Sequence, residues 1–202
     1  MAKASWVTTN PSSGSGNSSV SVSATAHTGR NARQTTLTFK AANVSNVTRT
    51  VIQAGAPNKV EIDEASAPPK EGQSITISGK ANSKKLTFTI KDGATLPISA
   101  PLTYIVAGNI TTTNGEEISG DPGASSEYIF SVQFLIPSNT GLVARVAELV
   151  VTDENSNSDV CTITQAAGDA YLSVTMGDIN LPADGSETVT IQVTSNTNWT
   201  IS

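Results

Sequence analysis

Apolar and polar residues alternate with a period of two through most of the chain, the pattern a half-buried β-strand requires. Val20-Ser21-Val22-Ser23-Ala24 shows it first. After a polar turn over residues 25–31 it resumes in Gln34-Thr35-Thr36-Leu37-Thr38-Phe39, and Thr48-Arg49-Thr50-Val51-Ile52-Gln53 closes the stretch before Ala54-Gly55. No heptads occur, and no apolar run approaches the length of about 20 residues that a membrane helix needs. The pattern predicts an all-β chain with many turns.

The same text returns further on. Thr28-Gly29, Ala32-Arg33 and Gln53 match Thr140-Gly141, Ala144-Arg145 and Gln165, at a constant shift (165 − 53 = 112). Val20 and Val22 likewise match Val132 and Phe134. The residues upstream of the second block repeat too, but in cyclic order. Val60-Glu61-Ile62, Gly72, Ile77 and Asn82 have their counterparts at the far end, in Leu172-Ser173-Val174, Gly185, Ile191 and Asn196 (196 − 82 = 114). A repeat of this length identifies a tandem of one structural unit.

The chain therefore divides into a back half (1–55), a whole unit (56–169) with an insertion at about 97–128, and a front half (170–202). Front and back together have the size of one β-sandwich. The back half alone would leave an open sheet edge and an uncovered face. Val189, Ile191 and Val193 alternate on one strand face in the front half, so each piece needs the other. The expectation is two β-sandwich domains, one assembled from 1–55 and 170–202, joined within one chain or between chains by strand exchange of 170–202.

Composition sharpens this picture. Aromatic residues are 4% and charged residues 14%, with a surface of Ser, Thr and Asn. The net charge of −5 opposes nonspecific nucleic-acid binding, which relies on basic patches. The single Cys161 rules out an internal disulfide and lies in a strand pattern, as a small buried hydrophobe. No apolar segment of a secretion signal follows Met1-Ala2-Lys3, so synthesis in a host cytoplasm and release in a virion is expected, the alternative being an extracellular location.

Candidate chemistry is sparse. His27 is the only histidine, and its repeat counterpart is Asn139, so no nucleophile, base and acid set is visible. Glu116-Glu117 follow the turn Asn114-Gly115 as solvated charges. Residues 153–159 are rich in Asp and Asn but lack the glycine and the final acidic residue of a calcium loop. No enzyme activity, cofactor or metal is expected. Sugar binding would use exposed rings, for which Tyr104, Tyr128, Trp6 and Trp199 are the candidates. Arg33 and Arg145, at one repeat position, read as residues that bond turn carbonyls.

Particular residues carry a family resemblance. The front half, with Gly185-Ser186-Glu187-Thr188-Val189-Thr190 and Ser195-Asn196-Thr197-Asn198-Trp199, resembles the opening of a BACON domain. The back half continues that pattern through Ser5-Trp6-Val7, Pro11-Ser12-Ser13-Gly14-Ser15-Gly16-Asn17, Thr28-Gly29, Ala32-Arg33 and Val51-Ile52-Gln53-Ala54-Gly55. In the whole unit, Leu86 and Ile118 stand near the tryptophan positions. The resemblance implies Ig-like sandwiches and a binding role, with mucin or cell-surface glycans as one ligand class. The permuted tandem also resembles the auxiliary or decoration virion proteins of crAss-like gut phages. Its implied partners are then a major capsid protein or other virion subunits, met through the insertion and the polar surface, with no nucleic acid and no membrane.

Overall fold

The computed structural model describes residues 2–175 and 177–202. The chain is built from strands, in agreement with the alternating pattern. Near the N-terminus, β1 (Val7–Asn10) pairs with β2 (Ser21–Ala24), and β3 (Arg33–Phe39) with β4 (Val47–Gln53). The central region holds β5 (Val60–Ile62), β6 (Gln73–Ala81), β7 (Leu86–Ile90), β8 (Thr103–Val106), β9 (Ile110–Thr113), β10 (Tyr128–Ile136), β11 (Arg145–Asp153) and β12 (Ser158–Gln165). Two short strands follow, β13 (Leu172–Val174) and β14 (Val193–Ser195).

Residues 56–169 form a complete antiparallel sandwich. One sheet has the order β5-β6-β10-β8-β9 and the other β12-β11-β7. Alternate residues of β6, β10, β11 and β12 point inward, and Ile77, Phe130, Leu149 and Ile163 are almost wholly buried between the sheets. Phe88 packs tilted against Tyr104 and edge-on to Phe130, with ring centroids 5.0 and 5.5 Å away, which are favourable aromatic geometries. Cys161 is a buried member of this core, and burial pushes its thiol pKa up.

Carboxylates close the sandwich at its rim. Asp153 accepts hydrogen bonds from the backbone N–H groups of Asn155 (2.8 Å) and Asn157 (2.9 Å) and from the Ser83 hydroxyl (3.2 Å). Glu154 accepts from Asn58 Nδ2 at 2.8 Å, and Asp159 from the Ile62 N–H at 2.9 Å. These acids tie the front of the unit to its back.

The insertion at 97–128 is largely structural rather than a free contact loop. It supplies β8 and β9, and it contributes Tyr104, Val106 and Ile118 to the core. Its end, around a 3-10 turn at Pro122–Ala124, bonds residues 1–55.

The two outer pieces are open. In the whole unit β10 is paired on both edges, by β6 and β8, and β11 by β12 and β7. Their counterparts at a shift of 112, β2 and β3, are each paired on one edge only. Among the described residues, no strand of 1–55 pairs with one of 170–202; β13 and β14 pair with each other. In limited proteolysis of dilute protein, the open pieces at 40–46 and 177–192 should be cut first, leaving a resistant fragment near 56–169. Mass spectrometry reads the cut sites, and early cleavage inside 60–165 would contradict this fold.

Candidate functional site

The front half repeats part of the fold of the whole unit, in the same strand register. In the whole unit Val60 pairs with Ala81, Glu61 with Lys80 and Ile62 with Gly79. In the C-terminal segment Leu172 pairs with Ser195, Ser173 with Thr194 and Val174 with Val193, the same register at the repeat shifts. The turns match as well: Gly72 N–H donates to Pro69 O at 3.0 Å, and Gly185 N–H to Pro182 O at 3.2 Å. Both glycines have positive φ, 84° and 68°, which favours glycine at this place.

An asparagine fastens each unit to the one before it. Asn82 accepts from the Lys59 N–H at 2.8 Å, and its Nδ2 donates to Pro57 O at 2.8 Å and to Thr28 O at 3.1 Å. Asn196 accepts from the Tyr171 N–H at 3.0 Å, and its Nδ2 donates to Asp169 O at 2.9 Å and to Thr140 O at 3.2 Å. The linker bonds agree too, Ala56 N–H to Gly29 O and Gly168 N–H to Gly141 O, both at 2.8 Å. One junction has therefore been built twice.

The first junction carries further contacts. Arg30 donates to Asp121 at 2.5 Å and to Asn82 O at 2.8 Å. The N–H groups of Arg30 and Asn31 donate to Gly123 O and Ala124 O at 2.8 and 2.9 Å. The counterparts of Arg30 and Asn31 at the second junction, Leu142 and Val143, are exposed.

The open pieces present an apolar surface. Val20 and Val22 are 38% and 46% exposed, while their counterparts Val132 and Phe134 are buried. Ile191 is exposed where its counterpart Ile77 is buried. Between the loop around Gly14 and the end of β3 lies a cleft of about 820 Å³, with Val20, Leu37 and Phe39 in its wall. An apolar surface of this kind marks a binding face.

The four rings expected to face a sugar have different places. Tyr104 and Tyr128 are core residues, 1% and 6% exposed, which corrects their candidacy as contact residues. Both fall in strands whose alternation turns them inward. Trp6 is half-buried, with the Arg33 guanidinium 4.6 Å above its ring. Trp199 is exposed, and so is Tyr171. Arg33 donates to Thr25 O at 2.9 Å and Arg145 to Ser138 O at 3.1 Å, so both hold turn carbonyls. His27 bonds the carbonyl of Asn31 through Nε2, as Asn139 bonds that of Val143, so the histidine fills a turn position. Asp153 in the acidic loop faces N–H donors, and no cluster of three or more His, Cys, Asp or Glu suited to a metal occurs among the described residues. Among those residues, no helix is long and apolar enough to cross a membrane.

Sequence reasoning missed Arg30, Asp121 and the clamping role of Asn82 and Asn196. The signal available was an Asn repeated at one position just after a strand, where it can bond a neighbouring chain segment.

The fold is that of the Ig-like β-sandwich class, with one copy of the unit paired throughout and the other only in part. The chain belongs to the BACON family, described as "Putative binding domain, N-terminal", which matches residues 1–54 and 109–166. The ends of the two matched segments stand one repeat apart (166 − 54 = 112). The family is one of binding domains rather than enzymes. No curated protein matches the chain.

The two core tyrosines give a paired test. The Tyr128 hydroxyl donates to Ser83 O at 2.7 Å, whereas the buried Tyr104 hydroxyl has only the Leu86 backbone beside it and no hydrogen bond of normal geometry. Tyr128→Phe should lower stability by about 1 kcal/mol or somewhat more, and Tyr104→Phe should leave it unchanged or raise it, as read by denaturant unfolding. Burial pushes the Tyr104 pKa up to about 12 and that of Tyr128 up as well. The unfolded chain, with tyrosines near pH 10, loses its protons first. Stability should therefore be intact below about pH 10 and fall as pH rises through 12, with a shallower fall in Tyr104→Phe.

Proposed function

We propose that this chain is a non-enzymatic structural protein that acts through protein–protein contacts, as an auxiliary or decoration protein on a phage capsid. The observation that carries the protein-binding part is the pair of unpartnered, apolar β-surfaces on 1–55 and 170–202. Free strand edges beside exposed Val and Ile side chains suit another polypeptide, which can supply both backbone partners and apolar contacts. The low charge and Ser/Thr/Asn-rich surface are compatible with dense packing on a shell. Placement on a virion follows from the resemblance to small virion proteins, and the partner it implies is the major capsid protein or another virion subunit.

A second reading, attachment to mucin or cell-surface glycan, is favoured by one observation: Tyr171 and Trp199 are exposed rings on the same segment. Stacking on such rings is how proteins commonly hold sugars. The two readings separate in a paired assay of empty capsids and a glycan array. The expected result is saturable capsid binding with no glycan retained. Glycan binding abolished by Trp199→Ala, with no affinity for capsids, would overturn the proposal in favour of the second reading.

A further inference from the structure

We propose that Asn114-Gly115 is a deamidation site gated by the fold. The Asn114 side chain seals the outer edge of β7, and its amide is lost only when that seal lifts, after which the edge cannot close again. The sequence contains an Asn-Gly pair once, here. Glycine has no side chain to hinder its own backbone nitrogen from reaching the preceding amide carbon, so local chemistry favours the reaction at this pair.

The geometry shows what the asparagine does. β7 is the outermost strand of its sheet and pairs with β11 along one edge. Left bare, its other edge would be a row of N–H and C=O groups ready to template a further strand. The end of the insertion covers that row. Gly115 N–H donates to Leu86 O at 3.1 Å, and Ile118 N–H to Lys84 O at 2.9 Å. Opposite Phe88, where a neighbouring strand would offer a peptide group, Asn114 offers its side chain. Phe88 N–H donates to Asn114 Oδ1 at 2.8 Å, and Asn114 Nδ2 donates to Phe88 O at 2.9 Å. The carboxamide accepts once and donates once, as a paired peptide group does. The Asn114 N–H donates to Leu102 O at 2.9 Å, just ahead of β8 in the other sheet. At Asn114 the insertion therefore passes from one sheet to the other. The far end of the seal is anchored by the buried Ile118 and by the Lys84–Glu117 ion pair at 2.8 Å.

The same bonds hold the reaction off. In deamidation the Gly115 nitrogen bonds to the side-chain carbonyl carbon of Asn114, and its proton passes to the amide nitrogen, which leaves as ammonia. Water then opens the cyclic imide to aspartate or isoaspartate. Here the Gly115 N–H is engaged with Leu86 O, and both polar atoms of the Asn114 amide are engaged with Phe88. Attack requires all three bonds to break, so it waits for the segment to lift. Afterwards the side chain is a carboxylate with acceptors only. It faces the Phe88 carbonyl oxygen, which loses its donor and meets a like charge distribution. Isoaspartate further lengthens the backbone and displaces the register. The seal is thus spent by a single opening that lasts long enough for the chemistry.

The test incubates the 202-residue chain at mildly alkaline pH, folded and in denaturant, and follows the peptide holding Asn114 by mass spectrometry. Conversion should be at least about tenfold slower in the folded chain, the ratio being set by local opening of the segment. Ile118→Ala loosens the anchor without touching the pair and should raise the rate in the folded chain. Asn114→Asp, which is the aspartate product, should lower the melting temperature of the whole unit at neutral pH. That deficit should shrink as pH falls and the carboxyl group regains a proton to donate to Phe88 O. Equal rates in the folded and denatured chain would overturn the inference, as would an unchanged slow rate in Ile118→Ala. So would an Asn114→Asp chain that melts where the unaltered one does at neutral pH.

Discussion

A β-strand cannot be finished by its own residues. Its edge N–H and C=O groups and its apolar face have to be met by a neighbour or left in water. In this chain residues 56–169 satisfy that requirement internally, with β10 and β11 each held on both edges. The same sequence pattern in 1–55 and 170–202 meets it only in part. Val20, Val22 and Ile191 stay in water, and fully burying such side chains is worth about 1.5–3 kcal/mol each. The structure thus contains both the solved and the unsolved form of one packing problem, and the solved form states what is missing from the other.

The asparagine clamp turns this into a statement about arrangement. Asn82 and Asn196 bond equivalent backbone groups in equivalent geometry, so each unit is set against its predecessor in the same way. The outer copy differs from the whole unit in one respect. Asp153, Glu154 and Asp159, which tie front to back in the whole unit, have Ala41, Ala42 and Val47 as counterparts. The outer copy lacks those charged hydrogen bonds.

Much of the fold was legible in the sequence because its causes are local. Period-two alternation located the strands, and the shift of 112 mapped β2, β3 and β4 onto β10, β11 and β12. The candidate site was less legible. Tyr104 and Tyr128 were open to either face by residue type, and only the packing of Phe88 and the Ser83 carbonyl settles them inward. The insertion at 97–128 looked like an appendage because its strands have no counterpart in the repeat. Arg30 and Asp121 are 91 positions apart, a separation at which spacing carries no signal.

The most direct measurement of the central claim is amide hydrogen exchange followed residue by residue. If 56–169 is complete by itself and the outer copies are open, the amides of β6 and β10 should be strongly protected while those of residues 20–24 and 187–192 exchange quickly. Protection of the two outer segments equal to that of β6 and β10 would contradict the account.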